Sequence, residues 1–251
     1  MENTNLSTAS SSTLENNDNL SPEVWEKDGD SFIMKEDIRK RLVEISSDFY
    51  DFLNTPIDLL DVTLTGSLSN YNYSKFSDFD LHLIINYDDI DADHELVEDF
   101  FNMKKTIWNT RHNITIKDFE VEVYAQDDGE THHSTGVYSV QNNKWLVEPK
   151  KEKSEVDKNE VHKKSKSWAQ QIDNIEKVFR KGKYDKVISL VEKLKEKIKK
   201  YRTIGLEEGG EYAIENLVFK VLRRSGYIER LNDMKEDSYD EKMTIKEYNK
   251  K

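Results

Sequence analysis

Two aspartates separated by one residue, Asp78 and Asp80, stand at the head of an apolar run, Leu81 to Ile85. Side chains of an extended strand alternate faces, so the two carboxylates share one face and Phe79 takes the other. Carboxylates one pleat apart repel each other, and a divalent cation between them turns that repulsion into binding. Magnesium in particular is held by one or two carboxylates together with substrate phosphates. Another apolar run ends in Gly66-Ser67, and ten residues separate that pair from Asp78. A glycine at a strand end lets the backbone approach a ligand closely, and the serine offers a hydroxyl and an N–H to a phosphate. A Gly-Ser pair or an Asp-x-Asp pair alone says little, and aspartates at a strand end also cap turns or sit in solvent. The combination G-S-x10-D-x-D, with apolar residues before the glycine and after the second aspartate, is far more specific.

The segment Gly66-Ser67 through Asp78-Phe79-Asp80 resembles the signature of the DNA polymerase beta-type nucleotidyltransferase superfamily. The wording GSLSNYNYSKFSDFDLHL is similar to nucleotidyltransferase-like proteins of tailed bacteriophages, a subgroup that brings no established substrate; this likeness runs from about Leu20 into the C-terminal helices. The resemblance implies an α+β fold, a mixed β-sheet flanked by helices, with three carboxylates holding two Mg²⁺ ions (or Mn²⁺) against a nucleoside triphosphate such as ATP. It assigns Asp78 and Asp80 to metal binding and catalysis, and Gly66, Ser67 and Ser77 to the nucleotide. It also requires a third carboxylate on a later strand. Phe119 to Tyr124 alternates strictly and puts Glu120, Glu122 and Tyr124 on one face. Glu122, flanked by Val121 and Val123, is the expected third ligand and Glu120 the reserve. Aspartate is commoner at this position in the superfamily. The implied reaction is transfer of a nucleoside monophosphate to an acceptor hydroxyl with release of pyrophosphate. The acceptor stays open between RNA (tRNA included), protein and a small molecule.

The elements that must position these groups follow from periodicity. Ile38, Leu42, Ile45, Phe49 and Phe52 recur at helical steps, so Lys35 to Leu53 reads as an amphipathic helix stopped by Asn54-Thr55-Pro56. Leu59 to Thr65 and Asp80 to Asn86 read as strands. The loop between them carries Tyr71 and Tyr73, set to stack on a base or, more simply, to pack beneath the loop. His82 shares the face of Asp80. Asp91 to Thr110 is a second amphipathic helix, whose Lys104 and Lys105 read as surface lysines unless the fold turns one toward the site. Gly136 to Val140 and Lys144 to Val147 form a hairpin about Asn142-Asn143. His132-His133 would face opposite ways on a strand and make a poor zinc site.

Composition bounds the rest. The chain has 251 residues, 50 Asp plus Glu against 38 Lys plus Arg, and a net charge of −12, so as a whole it is not built to coat nucleic acid. The absence of cysteine excludes disulfides and thiolate metal sites. No apolar run suits a membrane span or a signal peptide, and a cytoplasmic protein is expected (host cytoplasm for a phage-encoded chain). The expected domains are a disordered tail, 1–19, the catalytic domain, 20–149, and a charged linker, 150–166. A helical C-terminal domain, 167–235, closing one side of the cleft, and a charged tail, 236–251, follow. Ser21-Pro22-Glu23 has the form of a helix start. The lysine-rich helix near Val187 to Arg202 is a solvated face or a track for a nucleic-acid backbone. Gly209-Gly210 marks a tight helix–helix turn or an anion site. Two rivals to an enzyme remain: a nucleotide-binding or regulatory module without turnover, and a helical partner-binding protein that uses the sheet as scaffold.

Overall fold

The computed structural model describes residues 6–13, 17–91, 93–130, 134–151 and 156–245. The chain is of mixed α and β class and divides into a sheet unit, residues 15–153, and a helical unit formed by residues 1–14 and 154–251.

The sheet unit opens with a small antiparallel hairpin, β1 (Trp25–Asp28) and β2 (Ser31–Met34). Its turn is Gly29-Asp30, and Gly29 sits at φ +61°. Ser21-Pro22 does not start a helix. The Val24 and Trp25 N–H groups both donate to the Ser21 carbonyl, and this turn feeds β1 directly. Helix α2 (Glu36–Leu53) follows and ends on Asn54 in the left-handed conformation, φ 51°. The remaining strands are β3 (Asp61–Thr65), β4 (Asp78–Ile85), β5 (Thr115–Ile116), β6 (Phe119–Asp127), β7 (Val137–Ser139) and β8 (Lys144–Val147). They form one mixed sheet in the order β5-β6-β4-β3-β7-β8. The β4–β6 pair is parallel and the other pairs are antiparallel. A parallel pair needs a crossover, and helix α3 (His94–Arg111) lies in that connection.

Burial along β4 alternates residue by residue. Phe79, Leu81, Leu83 and Ile85 join Val121 and Val123 in the core, against Ile38, Leu42 and Phe49 of α2 and Val97, Phe101 and Trp108 of α3. Trp108 meets Phe49 edge-on at 5.4 Å. Both helices therefore cover one face of the sheet, and Asp78, Asp80, His82, Glu122 and Tyr124 belong to the other.

In the helical unit, α4 (Lys158–Phe179), α5 (Tyr184–Gly209), α6 (Ile214–Arg224) and α7 (Tyr227–Met243) build two adjoining cores, one around Ile172, Val191 and Leu231, the other around Val161, Val218 and Leu222. Three expectations are corrected here. Residues 6–13, expected within a disordered tail, form α1 (Leu6–Thr13). Ala9 is fully buried against α4 and α6, and the Arg224 guanidinium donates to Thr13 Oγ1 at 2.9 Å. Small side chains let this helix lie close where larger ones would hold it off. The expected linker is already helical from Lys158, where Asp157 caps α4 by accepting from the Asn159 N–H. The expected tail from 236 is helical to Met243, held by Lys235–Glu192 (2.8 Å) and Lys242–Asp185 (2.6 Å) pairs to α5. Gly209-Gly210 makes the α5–α6 turn, with Gly210 at φ +63°. Among the described residues no helix is long and apolar enough to cross a membrane.

Candidate metal centre

Register brings the carboxylates together. In the β4–β6 pair Asp80 lies beside Glu122 and Asp78 beside Glu120. Asp78, Asp80 and Glu122, all half-buried, each offer one carboxylate oxygen to a cluster whose atoms lie within 4.8 Å of one another. Glu120 lies between Asp78 of β4 and Thr115 of β5, is exposed, and stays outside that cluster. The donors are all hard oxygens with no thiolate, a set that suits magnesium or manganese better than zinc.

Gly66 is packed against this cluster. It follows Thr65, the β3 partner of Asp80, and adopts φ +76°, ψ −160°. A Cβ at this position would lie 2.0 Å from Asp80 Oδ2 and 3.0 Å from its Cγ. Glycine is thus required twice over, for its backbone conformation and for the space that Asp80 fills.

The loop from Gly66 to Ser77 is fastened along its length. The buried hydroxyls of Ser67 and Ser77 bond each other at 2.7 Å, and Ser77 Oγ also accepts the Ser74 N–H at 3.0 Å. Ser69 Oγ donates to the carbonyls of Gly66 (3.0 Å) and Gly136 (2.9 Å). The Trp25 indole N–H donates to the Leu68 carbonyl at 2.7 Å, and its ring stacks on Trp145 at 4.6 Å. Asn17 binds the carbonyls of Tyr71 and Tyr73. Both tyrosines are partly buried against the core, which is the packing role, and burial holds the Tyr73 phenol above its usual range.

Tyr124 and Lys105 are the residues the sequence left without a role. The Tyr124 hydroxyl donates to Glu122 Oε2. Its ring stacks on His82, with centroids 4.9 Å apart and planes at 15°, and Lys105 Nζ sits 4.3 Å from the ring centroid in cation–π contact. His82 Nε2 is 3.2 Å from Thr65 Oγ1. Burial first, and then the negative charges of Asp80 and Glu122, push the Tyr124 phenol well above the ordinary tyrosine range. It therefore remains a proton donor to Glu122 at neutral pH.

How a helix on the apolar face reaches Tyr124 follows from the short β5, which pairs only with Phe119 and Glu120. Beyond Glu120 the edge of β6 is covered by Asn109 of α3. Its side-chain amide accepts the Val123 N–H and donates to the Val123 carbonyl, each at 3.1 Å. Lys105 lies one turn earlier on the same face of α3 and passes round that edge. Neither lysine is an ordinary surface residue: Lys104 is half-buried too, over the Phe52 and Phe100 rings. Alternation along β6 was enough to put Tyr124 beside Glu122, whereas nothing local to α3 distinguishes Lys105. His132-His133 lies outside the described residues.

Comparison with family models, with curated proteins and with solved structures finds no match to this chain.

Proposed function

We propose that this chain is a metal-dependent nucleotidyltransferase, with a nucleotidyltransferase-type fold in its sheet unit. The observation that carries the reading is the convergence of Asp78, Asp80 and Glu122 within 4.8 Å on the face of the sheet opposite α2 and α3. The loop after Gly66 abuts Asp80 with no side chain between, in keeping with a backbone that comes close to a triphosphate. Asp78, Asp80 and Glu122 are the residues that would hold magnesium, with Glu122 serving the acceptor side. Bound there, magnesium supplies charge neutralisation to the triphosphate and acidifies an acceptor hydroxyl. The acceptor hydroxyl gives its proton to water and its oxygen bonds to the α-phosphorus as the bond to the β-phosphate oxygen breaks, so that pyrophosphate leaves with that bond's electron pair. Tyr124 holds Glu122 in one orientation through its hydrogen bond, and His82 and Lys105 fix the Tyr124 ring from its two faces.

The test is transfer of label from each of four α-labelled nucleoside triphosphates, with Mg²⁺ or Mn²⁺, to material in a host-cell extract. The control is Asp78→Ala/Asp80→Ala. Label on RNA, protein or a small molecule, absent with the control, is expected and identifies the acceptor class. A binding module without turnover is the second reading. It is favoured by the Ser67 and Ser77 hydroxyls, which are bonded to each other rather than aimed outward. Triphosphate binding that depends on metal and on Asp78, with no transfer, would select it. Neither binding nor transfer would refute both.

A further inference from the structure

The helical unit carries a groove of about 420 Å³ between α4 and α5. Its floor is apolar: Ile175 and Val178 from α4, Leu190 and Leu194 from α5. Three exposed lysines of α5, Lys186, Lys193 and Lys197, line one wall, and the α4 side contributes the neutral amides Gln171 and Asn174. No carboxylate lines the groove, in a chain of net charge −12.

This segregation has a structural origin. Of the acidic residues adjacent to these lysines on α5, Asp185 and Glu192 are turned toward α7, where they pair with Lys242 and Lys235, and the third, the exposed Glu196, does not line the groove. Spacings of seven and four residues keep Lys186, Lys193 and Lys197 on one stripe of the helix, over about 16 Å at 1.5 Å per residue. None of the three forms an ion pair among the described residues, whereas Lys164, Arg180, Arg230, Lys235 and Lys242 of the same unit all do.

We propose that this groove docks an acidic amphipathic helix of a partner protein. The helix would lay an apolar stripe on Ile175, Val178, Leu190 and Leu194 and set a row of carboxylates against the three lysines, the helix-in-groove mode of recognition. A nucleic acid fits less well. Single strands are held by stacking on aromatic side chains, and no aromatic residue lines the groove. A duplex backbone would engage the lysines and leave the apolar floor wet. The surface is distinct from the carboxylate cluster, and the proposal stands whether or not the chain transfers nucleotides.

The experiment uses the full chain and a fluorescent peptide of about four helical turns, with leucines at i, i+3, i+4 and i+7 and glutamates flanking that stripe. Its partners are a scrambled peptide of identical composition and a single-stranded RNA. Anisotropy should show saturable, salt-sensitive binding of the amphipathic peptide, at least about tenfold tighter than the scramble. Lys186→Glu/Lys193→Glu/Lys197→Glu should weaken it by about tenfold or more. Because these side chains are exposed and unpaired, the variant should retain the wild-type thermal transition. In wild type, methyl NMR should place the peptide-induced shifts on Ile175, Val178, Leu190 and Leu194, a readout that does not depend on the variant's folding. Equal binding of peptide and scramble, shifts elsewhere, or tighter binding of RNA through the same lysines would overturn the proposal.

Discussion

The contact between Gly66 and Asp80 makes the sharpest demand on the carboxylate site, and a double-mutant cycle isolates it. Replacing Gly66 with alanine has two separable costs. The first is conformational: φ +76° with ψ −160° lies in a region that side-chain-bearing residues avoid, at about 1–3 kcal/mol. The second is steric. The new Cβ would sit 2.0 Å from Asp80 Oδ2, and ordinary contact begins at 3.4 Å, so the carboxylate must retreat by about 1.4 Å. Such a shift costs roughly another 1–2 kcal/mol, in the range of overpacking, and pulls Asp80 away from Asp78 and Glu122. In an Asp80→Ala background the clashing Oδ2 and Cγ are gone and the remaining Cβ lies at 3.4 Å, so only the conformational cost is left. Gly66→Ala alone should therefore lower the stability of the sheet unit by about 2–5 kcal/mol. The same change made on Asp80→Ala should cost about 1–2 kcal/mol less. Urea unfolding followed by the fluorescence of Trp25, Trp108 and Trp145, all in this unit, reads both legs. Equal costs in the two backgrounds would refute the close approach as the reason for glycine. No cost in either would refute the backbone argument as well.

Two further outcomes follow from the same site. Mn²⁺ or Mg²⁺ at a hundredfold excess over its dissociation constant should stabilise the sheet unit by about 2.7 kcal/mol; an equal gain in Asp78→Ala/Asp80→Ala would place the ion elsewhere. Tyr124→Phe keeps the ring between His82 and Lys105 but removes the donor to Glu122. It should cost only about 0.5–1.5 kcal/mol of stability while weakening Mn²⁺ binding severalfold by calorimetry, and unchanged affinity would rule out a positioning role. The phenol carries a pH signature as well. Because the folded pKa of Tyr124 lies above the unfolded value of 10.0, its neutral form contributes stability in full below about pH 10. That contribution is lost as pH rises from there toward the folded value. Above pH 10 the wild type should lose stability more steeply than Tyr124→Phe, by up to about 1.4 kcal/mol per pH unit.

The features legible in the sequence are those whose signal is local. Alternation about Asp78 and Asp80 and along Phe119–Tyr124 gives the two strands, the first read as Asp80 to Asn86 and found as Asp78–Ile85, and the sidedness of their carboxylates, because each residue's face is fixed by its neighbours alone. The stripe of α2 and the stop at Asn54 are of the same kind, whereas periodicity in α3 marks Leu96 and Ile107 alongside the buried Val97, Phe101 and Trp108, and those two are exposed. Glu122 and Glu120 share a face and differ only through register against β4, a relation between distant segments. The β1–β2 hairpin lay hidden because four-residue strands carry too little pattern; only Gly29-Asp30 marks its turn. Helix α1 has no apolar stripe to read, since its buried face is Ala9, Ser10, Ser12 and Thr13. Its burial depends on what α4 and α6 present to it.

A single cause links Asn109, Lys105 and Tyr124. Because β5 ends after two residues, the edge of β6 at Val123 is left without a strand, and unpaired edge groups must be covered. Asn109 covers them with one amide, satisfying both the N–H and the carbonyl of Val123. That bond sets the height and rotation of α3 along the edge, and with it the position of Lys105 one turn away. Lys105 in turn presses the Tyr124 ring onto His82 and directs its hydroxyl to Glu122. The orientation of the third carboxylate thus depends on an asparagine that touches neither it nor any of the other two.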